Sequence, residues 1–206
     1  MDLQTVDYYS KNAAFVADRY ESIVNGLAVH FGRAFAAGSR VLDIGCGSGR
    51  DMAYLQVLGI HAYGVDATPE LVELAQELHP ELKGHITCGA LPEVPVPFGG
   101  GFDGVLCSAV LMHIPQEHQE GAVAFIKRCL RAGGQLLYSV PSKRLDVTQA
   151  SHRDAAGRLF IPDSQGRLQG LFEAEGFTLM EQWGNADSLG RDEVEWVSVL
   201  MRLSEC

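Results

Sequence analysis

The sequence predicts an α/β protein built on a mostly parallel, seven-stranded sheet with helices on both faces. Three observations lead there. Short apolar runs alternate with helical stretches, the rhythm of βαβ units. One apolar run ends in an acid and passes directly into a glycine-rich loop, Asp43-Ile44-Gly45-Cys46-Gly47-Ser48-Gly49. The last two strand candidates have no helix between them, which makes them an antiparallel hairpin beside the parallel part.

The elements follow in order. A polar N-terminal helix is expected over 4–36, with Tyr8 and Tyr9 on it. Strands are expected over 40–44, 61–65, 84–87, 102–107, 134–140, 178–183 and 195–201. Helices are expected over 51–58, 69–78, 117–130 and 165–175. Thr68-Pro69-Glu70 puts an N-cap oxygen before a proline at the first helical position, while Gly133-Gly134 and Gly176 offer left-handed helix exits. Three prolines and three glycines make 91–101 a loop. The connection 184–194 closes the terminal hairpin.

Composition bounds the function. A chain of 206 residues fits one domain, 1–206, and 47% hydrophobic with 20% charged residues is a globular balance. No apolar stretch is long enough for a membrane span, and the polar start MDLQTVDYYSKN lacks the regions of a secretory signal. A cytoplasmic protein with no membrane partner is expected. The five cysteines, Cys46, Cys88, Cys107, Cys129 and Cys206, show no metal-binding spacing and read as buried free thiols in a reducing compartment. No metal is expected. A formal charge of -10 disfavours a nucleic-acid partner, whose phosphates need clustered Lys and Arg.

The chemistry concentrates at the glycine loop. Each glycine lets backbone approach a ligand at the carboxyl end of a strand, where open α/β sheets bind ligands. Asp66, closing the next strand, is placed to accept hydrogen bonds from ribose hydroxyls. A dinucleotide fold would carry G-x-G-x-x-G and present a helix N-terminus to pyrophosphate. Here the spacing is G-x-G-x-G, and Asp43 before the loop would repel a diphosphate but suits a ligand bearing an ammonium and a sulfonium. A nicotinamide-dependent oxidoreductase is opposed on both counts.

On these residues, 8–141 resembles the class I S-adenosylmethionine-dependent methyltransferases, particularly their small-molecule branch. The resemblance implies a Rossmann-like sheet in the order 3-2-1-4-5-7-6 with only strand 7 antiparallel. It implies S-adenosylmethionine as cofactor, with S-adenosylhomocysteine as product. It assigns Asp43, Gly45, Cys46, Gly47 and Gly49 to the methionine part of the cofactor, Asp66 to its ribose and Ala67 to the region of the adenine. The family's G-D-A-x-x-L-P motif appears here as Cys88-Gly89-Ala90-Leu91-Pro92, so Gly89 replaces the acid, and adenine contacts fall to backbone and to Ala90 and Leu91. The stretch from Phe102 to Ser108, followed by Val110 to Pro115, resembles the fourth strand and the loop facing sulfonium and acceptor, which adds Ser108.

Other residues carry two readings. Tyr8 and Tyr9 resemble lid tyrosines, Tyr9 toward the cofactor and Tyr8 toward the substrate, or else form a stripe pinning the first helix; Tyr20 fits the stripe. His113 is the candidate general base, or a ring that orients its loop by a backbone hydrogen bond. An insertion over 142–164 should overhang the acceptor side. From residue 143 to 167 five basic residues face three acidic ones, +2 against -12 for the remainder. Arg144 and Arg153 are thus candidate contacts to an anionic acceptor, and a solvated loop is the bland alternative. Arg191 and Trp196 could join that pocket or belong to the sheet. The function expected is methyl transfer to a small, preferably anionic, metabolite; non-methylating chemistry on the same cofactor and a non-catalytic binding subunit stay open.

Overall fold

The computed structural model describes residues 1–205, so Cys206 lies outside the described residues. Seven strands, β1 (Arg40–Ile44), β2 (His61–Asp66), β3 (Ile86–Cys88), β4 (Phe102–Ser108), β5 (Leu130–Arg144), β6 (Phe177–Ala186) and β7 (Val194–Leu203), form one sheet. Their order is β3-β2-β1-β4-β5-β7-β6. Neighbours from β3 to β5 pair in parallel, and β7 runs antiparallel to both β5 and β6. Both the order and the single reversed strand are as expected.

The helices are α1 (Leu3–Lys11), α2 (Ala13–Glu21), α3 (Phe31–Ala34), α4 (Arg50–Val57), α5 (Pro69–Leu78), α6 (Gln119–Cys129) and α7 (Ser164–Ala174). Central strands are buried on both faces, which is why they read as unbroken apolar runs. Leu42, Val105, Leu136 and Tyr138 point to the layer of α6 and α7, where Phe125, Ile126, Leu168 and Phe172 meet them. Val41, Ala62, Leu106 and Leu137 point the other way, to Phe31, Met52, Leu55 and Ala75 of α3, α4 and α5. Ala13, Val16 and Ala17 of α2 lie on Leu71 of α5, setting the N-terminal segment over one end of the sheet.

Several expectations change. The single helix over 4–36 is two helices, a 3-10 turn at Ala28–His30 and the short α3. Asn12 interrupts it first, its side-chain amide donating to the Tyr8 carbonyl at 2.7 Å. The second helix ends at Glu21, and Asn25-Gly26 beyond it forms a turn in which the Asn25 side-chain oxygen accepts from the Leu27 amide. The helix over 117–130 starts with a 3-10 turn and ends at Cys129, where Leu130 is already extended. Gly133, with a φ of 73°, therefore lies in a bulge within β5 and is no helix exit. Gly176, with a φ of 90°, does follow α7. Thr68 stands at the N-cap of α5 ahead of Pro69, but its hydroxyl makes no capping bond. Cys46, Cys107 and Cys129 are buried free thiols, whereas Cys88 is exposed.

One feature of the sheet positions the site. Pairing of β5 with β4 stops at Ser139, opposite Ser108. Beyond it β5 continues to Arg144 paired with β7 alone, matching Val140 to Val197, Pro141 to Trp196 and Arg144 to Val194. With β6 pairing the other side of β7 as far as Ala186 opposite Glu195, a ribbon of β5, β7 and β6 thus overhangs the carboxyl end of the sheet. Among the described residues no helix is long and apolar enough to cross a membrane.

Candidate cofactor and acceptor site

A large cavity opens at the carboxyl ends of β1, β2 and β4, where the strand order changes direction and open sheets take their ligands. The loop after β1 forms its floor, with Asp43, Gly45, Cys46, Gly47 and Ser48 all lining it. Gly45 has a φ of 73° and no room for a side chain, since a Cβ would run into Val110. Gly49 does not line the cavity. Its left-handed backbone, φ 85°, starts α4, and a Cβ there would crowd Leu82, Ala75 and His79. The spacing reads it as a ligand glycine; the fold uses it as the turn into the helix.

Asp66 lines the cavity and is 8% exposed. One carboxylate oxygen accepts from the Gly47 amide and the other from the Thr68 amide, each at 2.9 Å. The acid therefore ties the glycine loop to the start of α5 while each oxygen keeps a second lone pair for a ligand hydroxyl. Burial pushes its carboxyl above the ordinary range, and the two amides pull against that. Asp43 is 1% exposed, and its Oδ1 has no hydrogen-bond partner among the described residues. Burial, then the charges of Asp51 and Asp66, push its carboxyl well up. A buried, unpartnered carboxylate on the cavity floor fits a ligand bearing a positive group there, as an amino-acid ammonium or a sulfonium would supply.

Ala67 and Leu91 border the cavity next to Asp66, but Ala90 does not; its carbonyl accepts from the Val94 amide at 3.0 Å and the loop turns away. Gly89 lines the cavity instead, and a Cβ at 89 would collide with Val94. The acid absent from this motif has no space in this loop.

The N-terminal segment closes one side. Tyr8 and Tyr9 line the cavity, and so does Tyr20, whose ring lies 3.7 Å from where a Gly47 Cβ would stand. Tyr20 thus joins the site rather than serving only as a stripe residue. Asn25, which sequence reasoning passed over, donates through Nδ2 to Asp51 and, at 2.9 Å, to the Ser108 hydroxyl in the cavity wall. Its signal was the Asn25-Gly26 dipeptide inside an expected helix. Glu21 at the end of α2 accepts from the Ser48 hydroxyl at 2.6 Å and faces His79 Nε2 at 3.2 Å.

His113 is 4% exposed and lines the cavity. Its Nδ1 donates to the Leu159 carbonyl, which leaves Nε2 as the basic nitrogen. Phe160 and Tyr9 hold the ring edge-on. Burial drops its pKa to about 4.

The insertion arginines separate. Arg144 and Arg158 line the cavity; Arg153 does not. Both outer nitrogens of Arg153 bind Asp2 at 2.8 Å, so it fastens the N-terminal segment to the insertion, helped by the Thr5 hydroxyl accepting from the Leu159 amide. Lys143 turns to Glu195, and Arg167 to the side chain of Gln119. Lys143, Arg153 and Arg167, three of the five cations behind the local surplus, do not line the cavity. Arg191 and Trp196 do line it. No group of His, Cys, Asp and Glu among the described residues could hold a metal.

Fold and cavity define an α/β protein with a ligand site at the carboxyl end of its sheet. A family profile described as a methyltransferase domain matches residues 42–138. A ubiquinone biosynthesis O-methyltransferase from Xanthomonas axonopodis pv. citri is 32% identical over 108 residues, 50% of this chain and 43% of that one, so the chain spans under half the length of the curated relatives it matches. Among solved structures, the 1,6-didemethyltoxoflavin-N1-methyltransferase of Burkholderia thailandensis superposes with a TM-score of 0.73 at 20% identity, covering 98% of this chain and 88% of that one. A TehB-like methyltransferase from Corynebacterium glutamicum gives 0.69 at 21%, covering 93% and 97%. Residues 42–138 are thus similar to a methyltransferase domain, and the chain has the fold of these methyltransferase structures.

Proposed function

We propose that the protein transfers the methyl group of S-adenosylmethionine to a small acceptor and releases S-adenosylhomocysteine. The observation that carries this is one continuous cavity joining the unpartnered Asp43 carboxylate and Asp66 to an end walled by Tyr8, His113, Phe160 and arginines. Asp43 and the backbone of Gly45 and Gly47 would hold the amino-acid part of the cofactor, Asp66 its ribose, and Ala67 and Leu91 would border its base. The bound cofactor supplies a methyl group on a good leaving group, so the protein's part is to position the acceptor and exclude water. Tyr9 and Tyr20 of the lid serve the second task. Ser108, held by Asn25, and neutral His113 border the acceptor side, where Nε2 can take a hydrogen bond from an acceptor hydroxyl or amine.

Arg144 and Arg158 support an acceptor with a negative group, and the formal charge of -10 supports a small molecule over a nucleic acid. Four free thiols among the described residues support a reducing, cytoplasmic setting. A panel of small acceptors scored by mass spectrometry tests the reading, with the expected result one methylated product for each S-adenosylhomocysteine. Cofactor consumption that yields other sulfur products and no methylated acceptor would overturn it in favour of cofactor cleavage or cyclisation.

A further inference from the structure

The acceptor end of the cavity has a wall of alternating charges drawn from two segments. Arg158 donates through Nε and Nη2 to Asp154 at 2.9 and 2.6 Å. Asp154 also faces Arg144 Nη2 at 3.8 Å, and Arg144 forks onto Asp146 with two bonds of 2.6 Å. Across the ribbon, Arg191 forks onto Asp187 at 2.9 and 2.7 Å, and Asp187 also accepts from the Trp196 indole at 2.8 Å. Asp146 lies within electrostatic reach of Arg191, which closes the series.

Two properties of this wall matter. Three arginines against three aspartates leave it without net charge, so it exerts little field on a distant anion. Yet each fork uses Nε and Nη2 and leaves Nη1 over. The Nη1 atoms of Arg144 and Arg191 make no hydrogen bond among the described residues, and that of Arg158 has only a 3.4 Å contact to the Tyr9 hydroxyl. All three residues line the cavity. The donors are also fixed: Arg144 lies 3.7 Å over the Phe160 ring and its side chain is 7% exposed, Arg144 and Arg191 each engage both oxygens of their aspartates, and Arg158 sets two nitrogens on one oxygen of Asp154. Rigid guanidinium donors beside aromatic rings match a planar oxyanion carried on a flat ring.

We propose that Arg144, Arg158 and Arg191 form a carboxylate subsite for the acceptor, which they recognise by short-range hydrogen bonds from aspartate-braced guanidiniums and not by attraction at a distance. The inference rests on the methyl-transfer reading only in calling the ligand the acceptor.

Protein saturated with S-adenosylhomocysteine, titrated with benzoate, phenylphosphonate and benzamide, tests the subsite by calorimetry and by arginine side-chain NMR. Benzoate is expected to shift the Arg144 and Arg191 resonances and to bind at least about tenfold more tightly than benzamide, as charge-assisted bonds require. Arg144→Gln and Arg191→Gln should each weaken benzoate about tenfold or more while the affinity for S-adenosylhomocysteine stays within about twofold, and Lys143→Gln, on the outer face, should leave benzoate affinity unchanged. Raising salt from about 50 to about 300 mM should not weaken benzoate, because the wall carries no net charge whose attraction could be screened. Weaker phenylphosphonate supports the carboxylate assignment, and tighter phenylphosphonate overturns it. Equal binding of benzamide and benzoate, or benzoate that moves none of the three arginines, overturns the subsite. Failure of S-adenosylhomocysteine itself to bind, measured before any benzoate is added, strikes the methyl-transfer reading instead.

Discussion

Asp43 places binding in conflict with stability. Its carboxylate is enclosed without a partner, and a buried acid whose pKa is raised destabilises the empty protein once it ionises. The penalty is absent below the unfolded pKa of roughly 3.9 and grows as pH rises through the raised folded value. Asp43→Asn should therefore stabilise the empty protein at pH 7 by about 1–3 kcal/mol, less so near pH 4, while sharply weakening S-adenosylmethionine. Thermal melts across pH, with and without cofactor, check both halves; an Asn variant that is less stable than wild type at pH 7 would contradict the account. Asp66 differs, because both its oxygens already serve the protein. Asp66→Ala should lose about 1.5–3 kcal/mol of cofactor affinity and also lower the melting temperature, the Gly47 and Thr68 amides having lost their acceptor. His113 is neutral far below pH 7. Its depressed pKa makes the folded state lose stability as pH falls from about 6.5 toward 4, so His113→Asn should flatten that stretch of the acid limb. The same substitution should lower kcat by less than the roughly 10²–10⁴-fold expected of an obligate base.

The lid is the element where sequence and structure part most. Periodicity over 4–36 suggested one helix because Ala13, Val16 and Ala17 do bury at helical spacing against Leu71. The breaks come at Asn12 and from Ser22 to Gly26, where the Asn12, Ser22 and Asn25 side chains bond nearby backbone, an effect of local hydrogen bonding and not of periodicity. By contrast β1 and α5 matched their expected bounds, since an apolar run closed by a glycine loop and a Thr-Pro-Glu helix start are both local signals. The cofactor end of the cavity was legible for the same reason: Asp43, Gly45, Gly47 and Asp66 lie in short consecutive motifs. Arg153 was not, because its partner Asp2 is 151 residues away. That pair is now a lid fastening, in which Arg153 draws the Asp2 carboxyl down to about 2. Arg153→Ala and Asp2→Asn should each speed release of S-adenosylhomocysteine, and the double variant should add little to either, a coupling of about 0.5–1 kcal/mol in a double-mutant cycle. Stopped-flow dissociation measures it. Fully additive effects would mean the two residues act separately.

For the molecule as a whole, ligand binding should register as stability. A hundredfold excess of S-adenosylmethionine or S-adenosylhomocysteine over its Kd should add about 2.7 kcal/mol, visible as a raised melting temperature, whereas NAD should add nothing. A shift with NAD alone would be incompatible with the floor formed by Asp43 and Asp66. The charge of -10 sets the long-range field, and the arginine wall does not reverse it. An anionic acceptor is thus repelled until it arrives, and its kcat/KM should rise slightly, or hold, as salt increases.

Arg144 and Trp196 stand on the overhanging part of β5 and β7, on paired strands rather than on a loose loop. The ribbon is in effect a ruler, holding the arginine wall at a set distance from the sheet edge where Ser108 and His113 sit. Each strand residue is worth about 3.3–3.4 Å of that distance. Deleting one residue from each strand of the ribbon would turn Arg144 to the opposite face, but deleting two from each keeps its face and draws it inward by about 7 Å. Such a shortened protein should prefer acceptors whose methylated atom lies that much nearer the carboxylate, so that acceptor length becomes a property set by counting strand residues.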